Sequence, residues 1–402
     1  NDMDQEGDEA ENRLVSGSET FDEESDVQDE QYNEERIILA AFWVFGLINN
    51  FAFVVFLSAA ENLLQNMAGV VLLAATVPGL LLKMTVGFWA DRVSYNARIA
   101  WVCMASSVSF FIASEFHSTA VRVLGIVLMS LAGSLGEATF LALTSHFNRS
   151  TIGMWSSGTG GAGIVGAGSY VALTDWLGLS SRNALRFCGP TPLISGVVYF
   201  FIVNRRQNDK KRTETRHTMQ FGFTETRQRL FASMLYVFII PLMMVYYAEY
   251  TINQGILPTL DQFPSSNLTD SPILYARYQV LYQIGVFLSR SSVRWIQIPS
   301  SRLWLLPVLQ FLNLAILMTE AVFRWTSRIT IIYAFILWEG LLGGAAYVNS
   351  FDQVSQTTPK SDREWALSVA TVGDGVGVLF AAITDSILEC SIRKWQDRPC
   401  PS

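Results

Sequence analysis

The sequence runs to 402 residues, half of them hydrophobic and only 16% charged, with 26 Phe and 11 Trp. A water-soluble domain carries about a quarter charged residues, so this composition excludes an ordinary soluble globular protein. The net charge of −7 is unevenly spread: residues 1–35 hold 15 Asp/Glu against one basic residue, Arg13, which leaves that tail at −14 and the remainder at +7.

Residues 1–35 cannot bury enough apolar surface to offset the entropy of ordering them. They are expected to form a disordered acidic cytosolic tail without chemistry. The sequence starts at Asn1 and shows no cleavable signal peptide, and an upstream segment is left open. Eleven mostly apolar stretches of about 20 residues or more follow, the length that crosses roughly 30 Å of hydrocarbon. They are 36–60, 68–90, 97–117, 120–145, 151–174, 184–203, 231–257, 272–291, 301–322, 328–350 and 364–389. With the N-terminus in the cytosol, the cytosolic face receives 18 basic residues and the other face nine, as the positive-inside rule requires. The fourth span carries Glu137 in an apolar run, and the fifth carries seven glycines between Gly153 and Gly168, a surface that lets membrane helices approach closely. The loop 204–230 holds eight basic residues and divides the spans into a six-helix bundle over 36–203 and a five-helix bundle over 231–389. A short lumenal tail, 390–402, remains.

That division prompts a search for an internal repeat. Ile48-Asn49-Asn50 matches Ile252-Asn253-Gln254, Gly87-x-x-x-Asp91-Arg92 matches Gly285-x-x-x-Ser289-Arg290, and Gly133-x-Leu135-Gly136-x-Ala138-x-Phe140 matches Gly340-x-Leu342-Gly343-x-Ala345-x-Tyr347, at offsets of 204, 198 and 207 residues. The stretch GFWADRVSYNAR (87–98) also resembles the loop between the second and third helices of the major facilitator superfamily. An Asp and an Arg there can pair with each other and with neighbouring helix ends in one transport state and release in the other. The expected fold is an all-α polytopic membrane protein, major-facilitator-like, with 11 transmembrane helices in two pseudo-symmetric bundles (6+5).

FGLINNFAFVVFLSAAENLL (45–64), GEATFLAL (136–143), WSSGTGGAGIVGAGSY (155–170), EYTINQG (249–255), LYQIGVFLSRSS (281–292) and EGLLGGAAYVNSF (339–351) resemble segments of the battenin family, including its fungal vacuolar members. The resemblance covers nearly every span. It implies a multi-pass lysosomal or vacuolar membrane protein with a part in organelle pH homeostasis, basic amino-acid balance and clearance of glycerophosphodiesters from phospholipid breakdown. The sequence departs from the mammalian pattern in a shorter loop between the first two spans and in Cys400, which is third from last, so the prenylation pattern is absent.

The candidate chemistry lies inside the spans. Glu137, Glu249, Glu339 and Asp374 each cost about 2.5–3.5 kcal/mol at a helix centre on insertion scales. Each is therefore expected to have a partner or to line a cavity between the halves, with structural ion pairs or neutral hydrogen-bonded carboxyls as the competing reading. Lys83 is either a cavity cation or a side chain that snorkels to the interface. Arg290 is either a cavity cation or a positive-inside anchor. A cation in the cavity suits an anionic phosphodiester, whereas arginine transport would use the acids. Asn49, Asn50, Asn253, Gln254, Tyr282 and Gln283 offer neutral groups to a polyol or zwitterion, or else bond helices together. These residues, without Asp374, whose position near Gly373 and Gly375 suits a helix break, form the candidate substrate-binding or proton-coupling set, and Asp91 with Arg92 forms the candidate gate.

His117, His146 and His217 show no metal-ligand spacing and the four cysteines form no CxxC, so no catalytic residue, metal or cofactor is expected and the chain is read as a non-enzyme. The expected function is export of a small polar solute across a lysosomal or vacuolar membrane, with proton linkage as an option. By the resemblance the solute is a glycerophosphodiester. Basic amino-acid (arginine) transport and a non-transporting scaffold for organelle trafficking are the alternatives. The expected partners are the solute, the lipid bilayer and cytosolic trafficking proteins on the acidic tail and basic loop, with no nucleic acid. Asn267, in a lumenal Asn-Leu-Thr sequon, is expected to carry glycan, and the cytosolic Asn148 is not. Cys390 and Cys400 fall on the oxidising side, where they can form a disulfide. Glu137 and Glu249 are expected to be the proton-responsive pair, one from each half.

Overall fold

The computed structural model describes residues 32–56, 59, 68–206, 224–260 and 271–400. The acidic tail before Tyr32, the linker residues 207–223 and the sequon residue Asn267 lie outside the described residues. Among the described residues there is no β-strand. The long helical segments are α1 (Tyr32–Phe56), α2 (Ala68–Trp89), α3 (Tyr95–Glu115), α4 (Thr119–Thr144), α5 (Ser150–Val171), α6 (Ser181–Arg206), α7 (Glu225–Thr259), α8 (Ser271–Ser291), α9 (Leu305–Phe323), α10 (Ile329–Thr357) and α11 (Arg363–Trp395). Among the described residues nine helices are long and apolar enough to cross a membrane. The other two are α5, diluted by glycine, and α8, diluted by Arg277, Gln279, Gln283 and Arg290, so apolarity carries the expected count of eleven only for nine.

Helix ends follow local chemistry rather than the edge of the apolar run. The hydroxyls of Ser94, Ser180 and Thr224 accept the amides of Ala97, Asn183 and Arg227 at 3.3, 3.4 and 3.3 Å, capping α3, α6 and α7. Because Thr224 starts α7 and α6 runs on to Arg206, the expected linker 204–230 is helical at both ends. In the same way α1 begins inside the expected tail, α10 extends to Thr357, past the expected 350, and α11 continues into the expected 390–402 segment. Polar turns stay helical beyond the hydrocarbon, where a hydropathy window no longer follows them. Cys390 and Cys400 are joined in a disulfide, with Cα atoms 4.7 Å apart, that ties the residues after α11 back to it.

Within each half the helices cross at glycines. An added Cβ at Gly79 of α2 would press on Ser130 and Ser134 of α4, and one at Gly285 of α8 on Leu337 and Leu341 of α10. Gly158 of α5 lies against the backbone of Trp43 and Leu47 in α1, as Gly377 of α11 lies against Met243 and Tyr247 in α7. The Gly133/Gly340 match carries Ser130 onto Leu337 and Ser134 onto Leu341, so it holds in space. The other two matches slip. The crossings equate Gly79, not Gly87, with Gly285. They also equate Asn49 with Glu249 rather than with Asn253, because Gly136 abuts the Asn49 amide as Gly343 abuts the Glu249 carboxylate. The slips are about two helical turns and one, displacements that leave a motif on nearly the same helix face.

Between the halves, α5 packs on α8 and α2 on α11. One hydrophobic core runs through both halves at the end where α1 begins, here called proximal. It joins Phe42, Phe45, Phe140 and Trp155 to Phe351, Trp365 and Leu367. At the distal end there are two cores, one built from α1–α6 around Phe56, Phe110 and Met129 and one from α7–α11 around Ile256, Tyr278 and Ile336. The halves are fused at one end and separate at the other.

The glycine crossings give a direct test. Gly340→Val places a branched side chain against the Tyr282 carbonyl and, 3.0 Å away, the Val286 amide, and overpacking of this kind costs about 1–3 kcal/mol. The melting temperature of the purified variant should fall clearly, while Gly168→Ala, with no heavy atom within 4 Å of the added carbon, should not lower it. Equal melting temperatures for the two variants would refute the close packing of α8 on α10.

Candidate substrate and coupling site

Burial decides what the charged side chains inside the helices can do, because an ionised group in low dielectric must find a partner. Lys83 on α2 is 6% exposed, and its Nζ lies 2.6 Å from Glu137 Oε2 on α4 and 2.8 Å from Asp374 Oδ2 on α11. It does not snorkel; it bridges the two halves. Asp374 is held in place by the helix turn after Thr371, where α11 is interrupted. Glu137 Oε1 accepts the Tyr347 hydroxyl at 2.6 Å, and Tyr347 in turn accepts the Trp155 indole N–H at 3.2 Å. The chain of contacts thus crosses from α11 to α2, α4, α10 and α5.

Arg290 sits on the other side of the Tyr347 ring, its guanidinium carbon 4.1 Å from the ring centroid. It is 9% exposed and donates to Thr159 Oγ1 of α5 at 2.6 Å and to the Tyr246 hydroxyl of α7 at 2.9 Å, while its Nε has no acceptor. It is therefore no interfacial anchor. Gly160 makes room for it, with Arg290 Cδ 3.3 Å from where a Cβ would stand. In the register set by the glycine crossings, Lys83 of α2 falls opposite the Ser289–Arg290 step of α8, so each half contributes one cation at the same depth.

A second polar group lies within α7, α8 and α10. Asn253 donates to Glu339 Oε1 at 2.6 Å and to the Glu249 carbonyl at 3.1 Å, and it accepts from Gln279 Nε2 at 3.0 Å. Tyr282 donates to Glu249 Oε1. The remaining oxygen of each acid, Glu249 Oε2 and Glu339 Oε2, has no hydrogen-bond partner, at 1% and 0% residue exposure. Of the other expected residues, Asn49 donates to the Gly133 carbonyl at 3.1 Å inside the first half, and Gln283 packs against Gly163 at the α5–α8 seam. Asn50 and Gln254 are half-buried, and no contact brings them into either group.

The proximal end is latched by charge. Arg227 donates to Asp91 at 2.6 Å and to Asp362 at 3.0 Å, joining the ends of α2, α7 and α11. Arg149 forms a two-pronged pair with Asp352 at 2.5 Å for each bond, and Glu364 lies 3.5 Å from both Arg98 and His146. Asp91, the candidate gate acid, is ion-paired at this end, but its partner is Arg227 rather than the expected Arg92, which is exposed. The structure adds Thr159, Trp155, Arg149, Arg227, Asp352 and Asp362 to the sequence-derived set. Only the charged residues among these carry a sequence signal, as charges at the ends of apolar runs.

The CLN3 protein family model matches residues 40–229 and 210–395. The chain is 36% identical to Protein BTN1 of Yarrowia lipolytica, over 91% of this chain and 97% of that protein, and 34% identical to Battenin of Canis lupus familiaris, over 85% and 88%. The chain belongs to the CLN3 protein family. Among solved structures, a major facilitator superfamily proton:xylose symporter superposes with a TM-score of 0.58 at 13% identity, covering 92% of this chain and 91% of that one. That likeness shows a major-facilitator-like fold, and the family together with the apolar helices makes this CLN3-family chain a multi-pass membrane protein.

Removing the bridging cation tests the central group. Lys83→Met leaves Glu137 and Asp374 as buried like charges, and breaking a buried pair costs about 3–5 kcal/mol. Folded protein recovered in detergent should drop sharply and should return in the triple variant Lys83→Met, Glu137→Gln, Asp374→Asn. A fully stable single variant would show that the bridge contributes nothing to stability.

Proposed function

We propose that the chain exports a small anionic solute of the glycerophosphodiester class from a lysosomal or vacuolar lumen, with the proximal end in the cytosol and residues 36–203 and 231–389 rocking about the central site. The observation that carries this reading is Arg290: a buried guanidinium over the Tyr347 ring whose hydrogen bonds go to the hydroxyls of Thr159 and Tyr246, with an N–H left over. A guanidinium offers five donors in a fork that fits phosphate oxygens. An arriving phosphodiester would take the places of Thr159 and Tyr246, and its glycerol hydroxyls would meet Asn and Tyr groups on α7 and α8.

Proton linkage follows from the neighbouring bridge. Lys83 between Glu137 and Asp374 makes a group of net charge −1, which repels an anion. A proton taken from the acidic lumen by one of the two carboxyls brings the group to zero and frees an N–H of Lys83 for the solute. Release of that proton to the neutral cytosol restores the repulsion and expels the anion. Export coupled in this way also moves protons, which supports a part in organelle pH homeostasis. Glu249, bonded to Tyr282, is a second acid able to take up a proton.

Basic amino-acid transport would need a carboxylate ready for a cation; Glu137 and Asp374 are already engaged by Lys83, which leaves that role to Glu249 and Glu339 in the second polar group. A scaffold for trafficking partners, recruited by the acidic tail and basic linker, would give no flux at all.

Efflux from reconstituted vesicles separates these readings. Labelled glycerophosphodiester should leave wild-type vesicles and labelled arginine should not. Arg290→Gln should slow efflux by about tenfold or more, the loss of one charged hydrogen-bonding group worth roughly 1.5–3 kcal/mol, and Arg290→Lys should restore part of it. Glu137→Gln should fold and target normally while its efflux no longer responds to lumenal pH. Arginine efflux that survives Arg290→Gln would overturn the anion reading, and an unchanged pH profile in Glu137→Gln would remove that carboxyl from the coupling.

A further inference from the structure

Asp385, on the distal part of α11, takes no part in either polar group. It is 4% exposed, and both of its carboxylate oxygens lack a hydrogen-bond partner. Asp374 is eleven residues away on the same helix, about 16 Å along the axis. Asp385 faces α7 at the stretch Thr251–Ile256, which is a π-helical turn. The Thr251 hydroxyl, 2% exposed and itself unpartnered, lies beside it, and a Cβ at Gly255 would come within 3.4 Å of its Oδ1. Two buried polar groups from two helices thus stand side by side with their hydrogen-bonding capacity unfilled, next to a glycine that brings the backbones together. A π turn inside an α-helix is frequently found at a functional site.

We infer that Asp385 and Thr251 form a proton-binding site on the distal side, separate from the central carboxyls, whose occupancy sets the position of the π turn. The inference rests on the proton-linked export proposed above. The same turn carries Asn253, which holds Glu339 and the Glu249 carbonyl, so Thr251–Ile256 links the distal acid to the second polar group. The ionised carboxylate draws the Thr251 O–H as a donor. Once a proton from the lumen binds to one oxygen of Asp385, that O–H can donate to Thr251 Oγ1 instead, so the two protonation states call for opposite hydrogen-bond directions between the same pair. Among the described residues, Glu389 is the neighbouring charge that acts on Asp385, and the other charges on packed elements are engaged elsewhere. Glu389 is held by Arg393 at 2.8 Å on α11 itself, Lys83 of α2 is tied to Glu137 and Asp374, Glu249 of α7 is bonded to Tyr282, and Glu320 of α9 accepts the Thr326 amide at 3.1 Å.

Two measurements on the full chain test this. The first is thermal stability of the detergent-purified protein between pH 5 and pH 7.5, which needs no substrate. A buried carboxyl is easier to keep protonated than ionised, so the wild type should lose stability as the pH rises through this range. Asp385→Asn should lack that part of the change, while Thr251→Val, which keeps the acid, should retain a pH response with a displaced midpoint. The second is efflux from vesicles with the lumenal pH varied. A rate governed by one protonated group falls up to about tenfold per pH unit above its midpoint, and Asp385→Asn should flatten that fall. Replacing K⁺ by Na⁺ should change neither the wild type nor the variant. A pH profile of stability unaltered by Asp385→Asn would overturn the site, and a Na⁺ response lost in Asp385→Asn would replace the proton by a metal cation. Failure of glycerophosphodiester efflux in the wild type would refute the proposed substrate and leave the stability result standing on its own.

Discussion

A lysine ammonium held between two carboxylates, deep inside a bundle of apolar helices, is the constraint on which the arrangement of this chain depends. Each of these ions alone would be costly to place there, and the partner that completes the set comes from the opposite half. Lys83 and Glu137 belong to the first half and Asp374 to the second. The two bundles are thereby held in one relative orientation by charge, where packing between helices in a membrane supplies little net drive of its own. Arg290 adds a second tie by donating to Thr159 across the seam.

If solute crosses between the bundles as proposed, the single proximal core and the ion pairs of Arg227 and Arg149 would place the barrier to it on one side of these ties. With separate distal cores, the two bundles can part there without exposing the shared apolar surface around Trp155 and Trp365. Reversal would require the latches to open, and all three pair a side chain from the end of α2, from α3 or from the α4–α5 corner with one from α7, α10 or the start of α11. The Arg149 and Glu364 latches reach solvent, and ion pairs of that kind are individually weak. They are therefore suited to a conformation that must be left on every cycle.

The all-α class, the helix positions and the two-bundle plan were legible in the sequence because apolar length and basic loop bias are strong, one-dimensional signals. Lys83, Glu137, Glu249 and Glu339 were legible as expensive charges, but their partners were not. Whether Lys83 snorkels or bridges depends on Asp374, 291 positions further on, and no local pattern connects them. Arg290 stands at the end of its helix, where a basic residue ordinarily marks the interface; only the close approach at Gly160 turns it inward. The internal repeat was visible but slipped, since Asn, Gly and small residues recur at helical spacing and a match one or two turns out of register preserves the same face. Arg92 beside Asp91 reads as a partner, yet adjacent residues on a helical turn point apart, and Asp91 pairs instead with Arg227.

The glycine face of α5 has a mechanical side. Most helix pairs interlock, with side chains of one seated in hollows of the other, and such a joint resists sliding because every knob must climb out of its hole. At Gly160, Gly161 and Gly163 one partner presents bare backbone to Phe287, Gln283 and Arg290 of α8. A smooth track against a studded one behaves as a bearing: the studs keep contact while they travel along it, and the seam stays sealed against lipid and water throughout the stroke. A bulky residue on that track would act as a stop in the proposed rocking and would already press on α8 at rest, since a Cβ at Gly163 meets the Gln283 amide and one at Gly160 comes 3.0 Å from Phe287 Cα.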